Sequence, residues 1–237
     1  MCDDFFMMSS WCVRAALVLL AVSSGACVTM DQSRPPEPVA APSTSSARSL
    51  SVASAPEWRP GDRWTYDVIR GADTSSKTLE VVEVREMGSV PYYVVRLGDV
   101  DHYYTRNLNW AAAIRDAKVE ARMSPPHQGF VWPLEVGKRW TYQGVWEDHE
   151  SHRDINDRFA VVAIEIVEVL AGRFEALKIV REGSTPGSDE YWFAPAARSY
   201  VRWVSRRGDV QFEERLREYR AAPRLIREPI IPGPSSK

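Results

Sequence analysis

One short phrase occurs twice in this 237-residue chain, and it limits what the chain can fold into. Pro60-Gly61-Asp62-Arg63-Trp64-Thr65-Tyr66 is answered by Glu135-Val136-Gly137-Lys138-Arg139-Trp140-Thr141-Tyr142. Further on, Val82-Glu83-Val84 before Gly88 is answered by Val167-Glu168-Val169 before Gly172. Asp101-His102-Tyr103-Tyr104 is then answered by Asp189-Glu190-Tyr191-Trp192. Self-similarity of this kind marks a duplicated unit. The offset widens along the chain, so longer hairpin loops are expected in the second copy.

Each copy reads as strands. In Arg139 to Trp146, Trp140, Tyr142 and Trp146 fall on one side and Arg139, Thr141 and Gln143 on the other, a period of two. Val81 to Val84, Tyr92 to Leu97, Phe159 to Val169 and Phe174 to Val180 are rich in β-branched and aromatic residues. Trp110 to Ile114 favours helix on propensity, but Val119, Ala121 and Met123 alternate with charged residues after it, and the repeat decides for a hairpin. Glu213 to Arg220 fits a helix face or a strand face. The expected fold is all-β: an antiparallel meander of about six strands, duplicated into a curved, partly open barrel or a two-sheet sandwich. Short sequential hairpins favour the barrel.

The three cysteines, Cys2, Cys12 and Cys27, all precede this domain. Arg14, the apolar run Ala15 to Val22 and the small residues Ser23-Ser24-Gly25-Ala26 follow the order of an export signal, with a core too short to span a bilayer. Cys27 after those residues resembles the lipobox of bacterial lipoproteins. That resemblance implies diacylation of the thiol, with Cys27 as the new N-terminus, and a membrane held through that lipid. An ordinary cleaved signal and an uncleaved anchor remain as alternatives. Asp3 and Asp4 are out of place in such a leader, and a start at Met7 or Met8 would remove them. By analogy with enteric lipoprotein sorting, the resemblance with Val28 after Cys27 implies the outer membrane, facing the periplasm. With no cysteine beyond residue 27, thiol catalysis, Cys-ligated zinc and internal disulfides are excluded from the domain.

Residues 1–26 are therefore read as signal peptide and 27–57 as a lipidated cysteine with a linker rich in Pro, Ser and Ala, whose reach is roughly 30 Å as a coil and about 90 Å extended. Residues 58–222 form the duplicated domain, with repeats at about 58–124 and 132–222, and 223–237 a Pro-rich tail. The chain carries 30 basic and 32 acidic residues, a balance that gives nucleic acid no electrostatic hold.

Trp132-Pro133-Leu134-x-x-Gly137-x-x-Trp140-x-Tyr142 and Tyr191-Trp192-Phe193-Ala194-Pro195 with Val201 look like phrases of the domain-of-unknown-function 3108-like family of bacterial envelope proteins. The second repeat carries the likeness. The first departs from it, since Tyr104-Thr105-Arg106 lacks the proline. The resemblance implies an all-β periplasmic domain and brings no catalytic residues.

No constellation for catalysis emerges from the residues. Glu147 to Asp157 holds two of the four histidines, and His149, His152 and Asp154 could offer ligands to a divalent metal. The order is not HExxH, no calcium-loop glycine is present, and the stretch falls where a solvated hairpin tip is expected. His102 and His127 have no recognisable nucleophile, no G-x-S-x-G elbow occurs, and nucleotide-binding loops are missing, so no cofactor is expected. Glu213 and Glu214 adjoin, which places them on opposite faces of a strand. Of nine tryptophans all but Trp11 follow the leader. Trp64, Trp140, Trp146 and Trp192 are the candidates to line a site for a lipid or an apolar segment of an envelope protein, with core packing as the plainer role for Trp64 and Trp140. The expected function is non-catalytic binding. The alternatives are a hydrolase or metal enzyme using the His149/His152 loop, or a structural module.

Overall fold

The computed structural model describes residues 50–183 and 187–223. Cys27, the signal, the linker up to residue 49 and the tail from residue 224 lie outside the described residues. Twelve strands follow in order: β1 (Arg63–Arg70), β2 (Asp73–Met87), β3 (Val90–Leu97), β4 (Val100–Thr105), β5 (Trp110–Arg115), β6 (Lys118–His127), β7 (Arg139–Asp148), β8 (His152–Val169), β9 (Gly172–Glu182), β10 (Ser188–Ala194), β11 (Ser199–Arg207) and β12 (Val210–Arg220). Each pairs antiparallel with its sequence neighbours, and β1 pairs with β12 from Arg63↔Arg220 to Arg70↔Phe212. The all-β antiparallel barrel expected from the sequence is present, and it is closed rather than partly open. Closure leaves the terminal strands no free edge, which a sheet of this length would otherwise expose.

Trp110 and the alanines after it form β5, and Glu213 to Arg220 lies in β12, so both ambiguous segments are strands. Pairing with neighbours on the wall overrides the helix propensity of a three-alanine run. The acidic stretch is corrected: β7 runs to Asp148 and β8 begins at His152, with Glu147 opposite His152. The turn is tight because Asp148 Oδ1 accepts from the N–H groups of Glu150 and Ser151 at 2.9 and 2.6 Å. The second half gains length mostly in strands, β7, β8 and β9 being longer than β1, β2 and β3, and also in connections, as between β7 and β8 compared with β1 and β2.

Residues facing each other across neighbouring strands share a face, so the register assigns the lumen. Trp64, Tyr66 and Val68 point inward from β1, with Leu79 and Lys77 opposite them on β2 and Leu216 and Glu214 on β12. Tyr93, Val95, Tyr104, Trp110, Met123, Tyr142, Trp146, Phe159, Ile179 and Phe193 continue that surface. The mouth nearer both ends of the barrel is closed by apolar side chains. Trp58 packs against Trp64, Tyr93 and Tyr104 at ring distances of 5.0, 5.6 and 5.5 Å, and its indole N–H donates to the Arg198 carbonyl at 2.8 Å. Each such ring removes on the order of 200 Å² from water.

The two echoed phrases make the same local bonds. Gly61 and Gly137 stand at φ +93 and +94, a region glycine enters without strain. The Gly61 N–H donates to Val81 O, and the Gly137 N–H to Val161 O, at 2.8 and 2.9 Å. The reciprocal bonds, Val81 N–H to Asp62 O and Val161 N–H to Lys138 O, are both 2.9 Å. A bulge follows in each partner strand, between Val81 and Glu83 and between Val161 and Ala163. These bonds set Val81 equivalent to Val161. The textual match of Val82 to Val167 is therefore out of step with the structure by several residues.

Candidate functional site

The lumen changes character along its axis. Toward the mouth it is aromatic, while toward the hairpin turns it holds buried charge. Lys77 on β2 and Glu214 on β12 lie on either side of β1, with Lys77 Nζ 2.5 Å from Glu214 Oε1. The Tyr200 hydroxyl donates to Glu214 Oε2 at 2.7 Å, so both carboxylate oxygens are engaged. Tyr66 stacks on Tyr200 at 4.7 Å and donates to the Tyr200 carbonyl at 2.9 Å, and Lys77 lies 5.8 Å over the Tyr66 and Trp203 rings. Burial, then the Glu214 charge, push Tyr104 and Tyr200 well above the ordinary phenol range. Tyr66 is raised as well, mainly by burial.

His102 on β4 is buried in the same wall. Its Nδ1 accepts the Trp110 indole N–H at 3.1 Å, which requires the ring proton on Nε2. Burial first and the Lys77 charge second hold its pKa down at about 4, so it is neutral at pH 7.

A second group lies where β8, β9 and β10 meet. Arg181 bonds Asp157 Oδ1 at 2.9 Å through Nη1 and Asp189 Oδ2 at 2.5 Å through Nε, and all three side chains are buried. His127 Nε2 lies 3.0 Å from Asp157 Oδ2. Burial opposes ionisation of Asp189, but the Arg181 and Arg207 charges outweigh it and hold the carboxyl below its usual range. Two carboxylates divided by one guanidinium form a structural clamp.

The sequence candidates are dispersed. Trp64 stacks on Tyr219 at 5.6 Å and donates to Ala197 O. Trp140 stacks on Phe159 at 5.1 Å and donates to Gln128 O. Trp146 stacks on Trp110 at 5.3 Å and donates to Asp148 Oδ2. Trp192 faces the outside of the wall, opposite Arg202 and Lys178 in the register, with both cations within 5 Å of its ring. The other three face inward. His152 and Asp154 point outward, beside Glu147 and Val145, and His149 sits in the exposed turn. His152 pairs with Glu147 at 3.3 Å and His149 with Glu120 at 3.8 Å. Among the described residues no group of three His, Cys, Asp or Glu could hold a metal ion.

Sequence reading missed Lys77, Asp157, Arg181 and Glu214. The signal was there for Asp157: it alternates in phase with Ile155 and Phe159, which places it inward.

No protein-family model matches the chain, and a search of curated proteins finds no match either. The likeness to the domain-of-unknown-function 3108-like family thus rests on the phrases quoted above. Among solved structures the chain is similar to a protein from Parabacteroides distasonis ATCC 8503 described as a lipoprotein. That match has 13% identity and a TM-score of 0.42, covering 71% of this chain and 99% of the other. It is also similar to a protein with a YmcC-like fold from Bacteroides fragilis described as exported, at 15% identity and TM-score 0.40, covering 73% and 100%. The hypothetical lipoprotein YmcC of Escherichia coli follows at 9% identity and TM-score 0.35, covering 68% and 85%. Similarity at this level carries no inference about what the barrel does.

Proposed function

We propose that this chain is a lipid-anchored bacterial envelope protein whose barrel is non-catalytic and works by binding an envelope protein partner. The observation that carries the reading is the placement of Cys27, directly after an apolar run and four small residues, ahead of a domain with no cysteine of its own. The stretch read as a linker to residue 57 is tied to the barrel from Val52, which exchanges backbone bonds with Leu134 at 2.9 Å, and the part before it lets the barrel stand off the membrane. The barrel supports binding over catalysis because its buried carboxylates Asp157, Asp189 and Glu214 are each held by a cation, Arg181 or Lys77. It supports a protein partner over a carried acyl chain because the inward candidate tryptophans are stacked and hydrogen-bonded within the wall. We also propose that the two halves arose by duplication, as their matching turns and bulges suggest.

The test is detergent phase partitioning of the expressed chain, with mass spectrometry of its N-terminal peptide. The proposal expects a diacylglyceryl mass on Cys27 and loss of detergent partitioning in Cys27→Ser. An unmodified N-terminal peptide, beginning elsewhere or at Cys27 without lipid, would remove the anchor from the reading. Native mass spectrometry of the delipidated protein tests the rest: a retained fatty acid or phospholipid would return the carrier reading.

A further inference from the structure

Strands β8 and β9 outrun the barrel. Pairing of β7 with β8 ends at Arg139↔Ala160, and the last bonds to that side are those between Val161 and the residues Gly137 and Lys138. Pairing of β9 with β10 ends at Leu177↔Phe193. From there to the Leu170-Ala171 turn the hairpin is a two-stranded ribbon. One face folds back on the outside of the wall. There the Trp192 indole donates to Glu165 Oε2 at 2.6 Å, Val167 and Ala176 are buried, and the Ala171 N–H reaches the Leu216 carbonyl at 3.2 Å.

The other face and the outer edge have no such cover. Val162 and Ile166 are each 44% exposed and Leu170 73%. Among the described residues no strand pairs with the outer edge of β8 from Ala163 to Val169. Alternate residues there turn both backbone N–H and C=O outward, the template on which another strand adds. An edge of this length carrying Ile164, Ile166, Val167 and Val169, with Glu165 and Glu168 its only charges and no lysine or proline, is one that natural sheets normally blunt further.

We infer that the outer edge of β8 pairs with the same edge of a second copy of this chain, antiparallel about Ile166. That register sets Ile166 against Ile166 of the second copy and Val162 against Leu170, so the exposed apolar residues cover one another. Glu168 falls opposite Ile164 and Glu165 opposite Val167, so no glutamate meets a glutamate across the seam, a pairing that would oppose association. Such an interface is isologous, as a two-fold dimer requires.

The experiment uses the purified chain with Cys2, Cys12 and Cys27 all changed to Ser, which leaves no native thiol. Sedimentation velocity across a wide concentration range is expected to show a monomer passing to a dimer. Ile166→Lys should shift that transition at least tenfold in concentration, while Val210→Lys, at the opposite end of the barrel, leaves it in place. Circular dichroism melts of Ile166→Lys separate lost pairing from lost folding. The register has its own readout: Ile166→Cys should form a disulfide-linked dimer under mild oxidation, whereas Glu168→Cys alone should not. A monomer at every concentration overturns the inference. So does a dimer indifferent to Ile166→Lys, or one that cross-links through Glu168→Cys and not through Ile166→Cys.

Discussion

Lys77 and Glu214 meet inside the barrel, Nζ to Oε1 at 2.5 Å, although 137 positions separate them in the chain. The carboxylate is 1% exposed and the ammonium 13%. Removing two such charges from water costs several kcal/mol, which their attraction and the Tyr200 hydroxyl must offset.

Truncation of one partner is therefore the damaging change. Glu214→Ala should destabilise the fold by about 3–5 kcal/mol, since it removes the carboxylate paired with the Lys77 ammonium and the acceptor of the buried Tyr200 hydroxyl. The double variant Lys77→Met with Glu214→Leu should recover most of that loss. Urea unfolding followed by tryptophan fluorescence measures both. A Glu214→Ala protein with an unshifted midpoint contradicts the buried-pair account.

His102 predicts an acid dependence. The unfolded chain takes up the imidazole proton near 6.5, whereas the folded chain does so only near 4. Between those values the unfolded state binds more protons, so stability falls as pH drops and the full loss is reached below about 4. The difference amounts to about 3 kcal/mol. His102→Gln should flatten the stability profile between pH 6.5 and 4, and an NMR titration should find this imidazole neutral at pH 6. Asp189 and Glu213, both held below the usual carboxylate range, add an acid loss in a lower window.

Asp62 ties the segment before β1 to the one after β12 and is fully buried. Its Oδ1 accepts from Arg198 Nη2 at 2.6 Å and from the Ala222 N–H at 2.7 Å, and its Oδ2 from the Arg59 N–H at 2.7 Å. Asp62→Ala leaves a guanidinium and two amides without their acceptor, at a cost of about 3 kcal/mol or more. Hydrogen exchange should show the amides of Arg59 and Ala222 losing protection before those of β7.

Gly144 has no room for a side chain. A Cβ there would lie 2.0 Å from the Tyr142 hydroxyl and 2.5 Å from Cζ. That hydroxyl donates to Pro125 O at 2.7 Å, so the ring cannot swing aside freely. Gly144→Ala should cost about 1–3 kcal/mol, seen as a lowered melting temperature. The same change in a Tyr142→Leu background should cost much less.

The strands were readable where one face meets apolar packing. Arg139 to Trp146 alternates because Trp140, Tyr142 and Trp146 all face a wall of rings. His152 to Asp157 showed only a faint alternation, carried by Ile155 alone, since Arg153 and Asp157 point into a polar part of the lumen while His152 and Asp154 point into solvent. Charge on both faces of a strand looks like a loop. Closure was hidden for another reason: the pairing of Trp64 with Tyr219 depends on curvature accumulated over ten intervening strands, and no local pattern encodes it. Glu213 and Glu214 do lie on opposite faces, as adjacency implies, but the identity of Glu214's partner required the register of β2 against β1.

Because β12 is the strand that seals β1, the wall stays incomplete until the last residues of the domain have arrived. Loop-closure entropy over the full domain must be met before that seam returns anything, which makes sealing a late event. A polypeptide delivered across a membrane N-terminus first would hold its first eleven strands as an open sheet, with the rim of β1 waiting. The terminal strand thus acts as the latch of the barrel, and a chain cut short before Val210 should remain unlatched however well its earlier hairpins form.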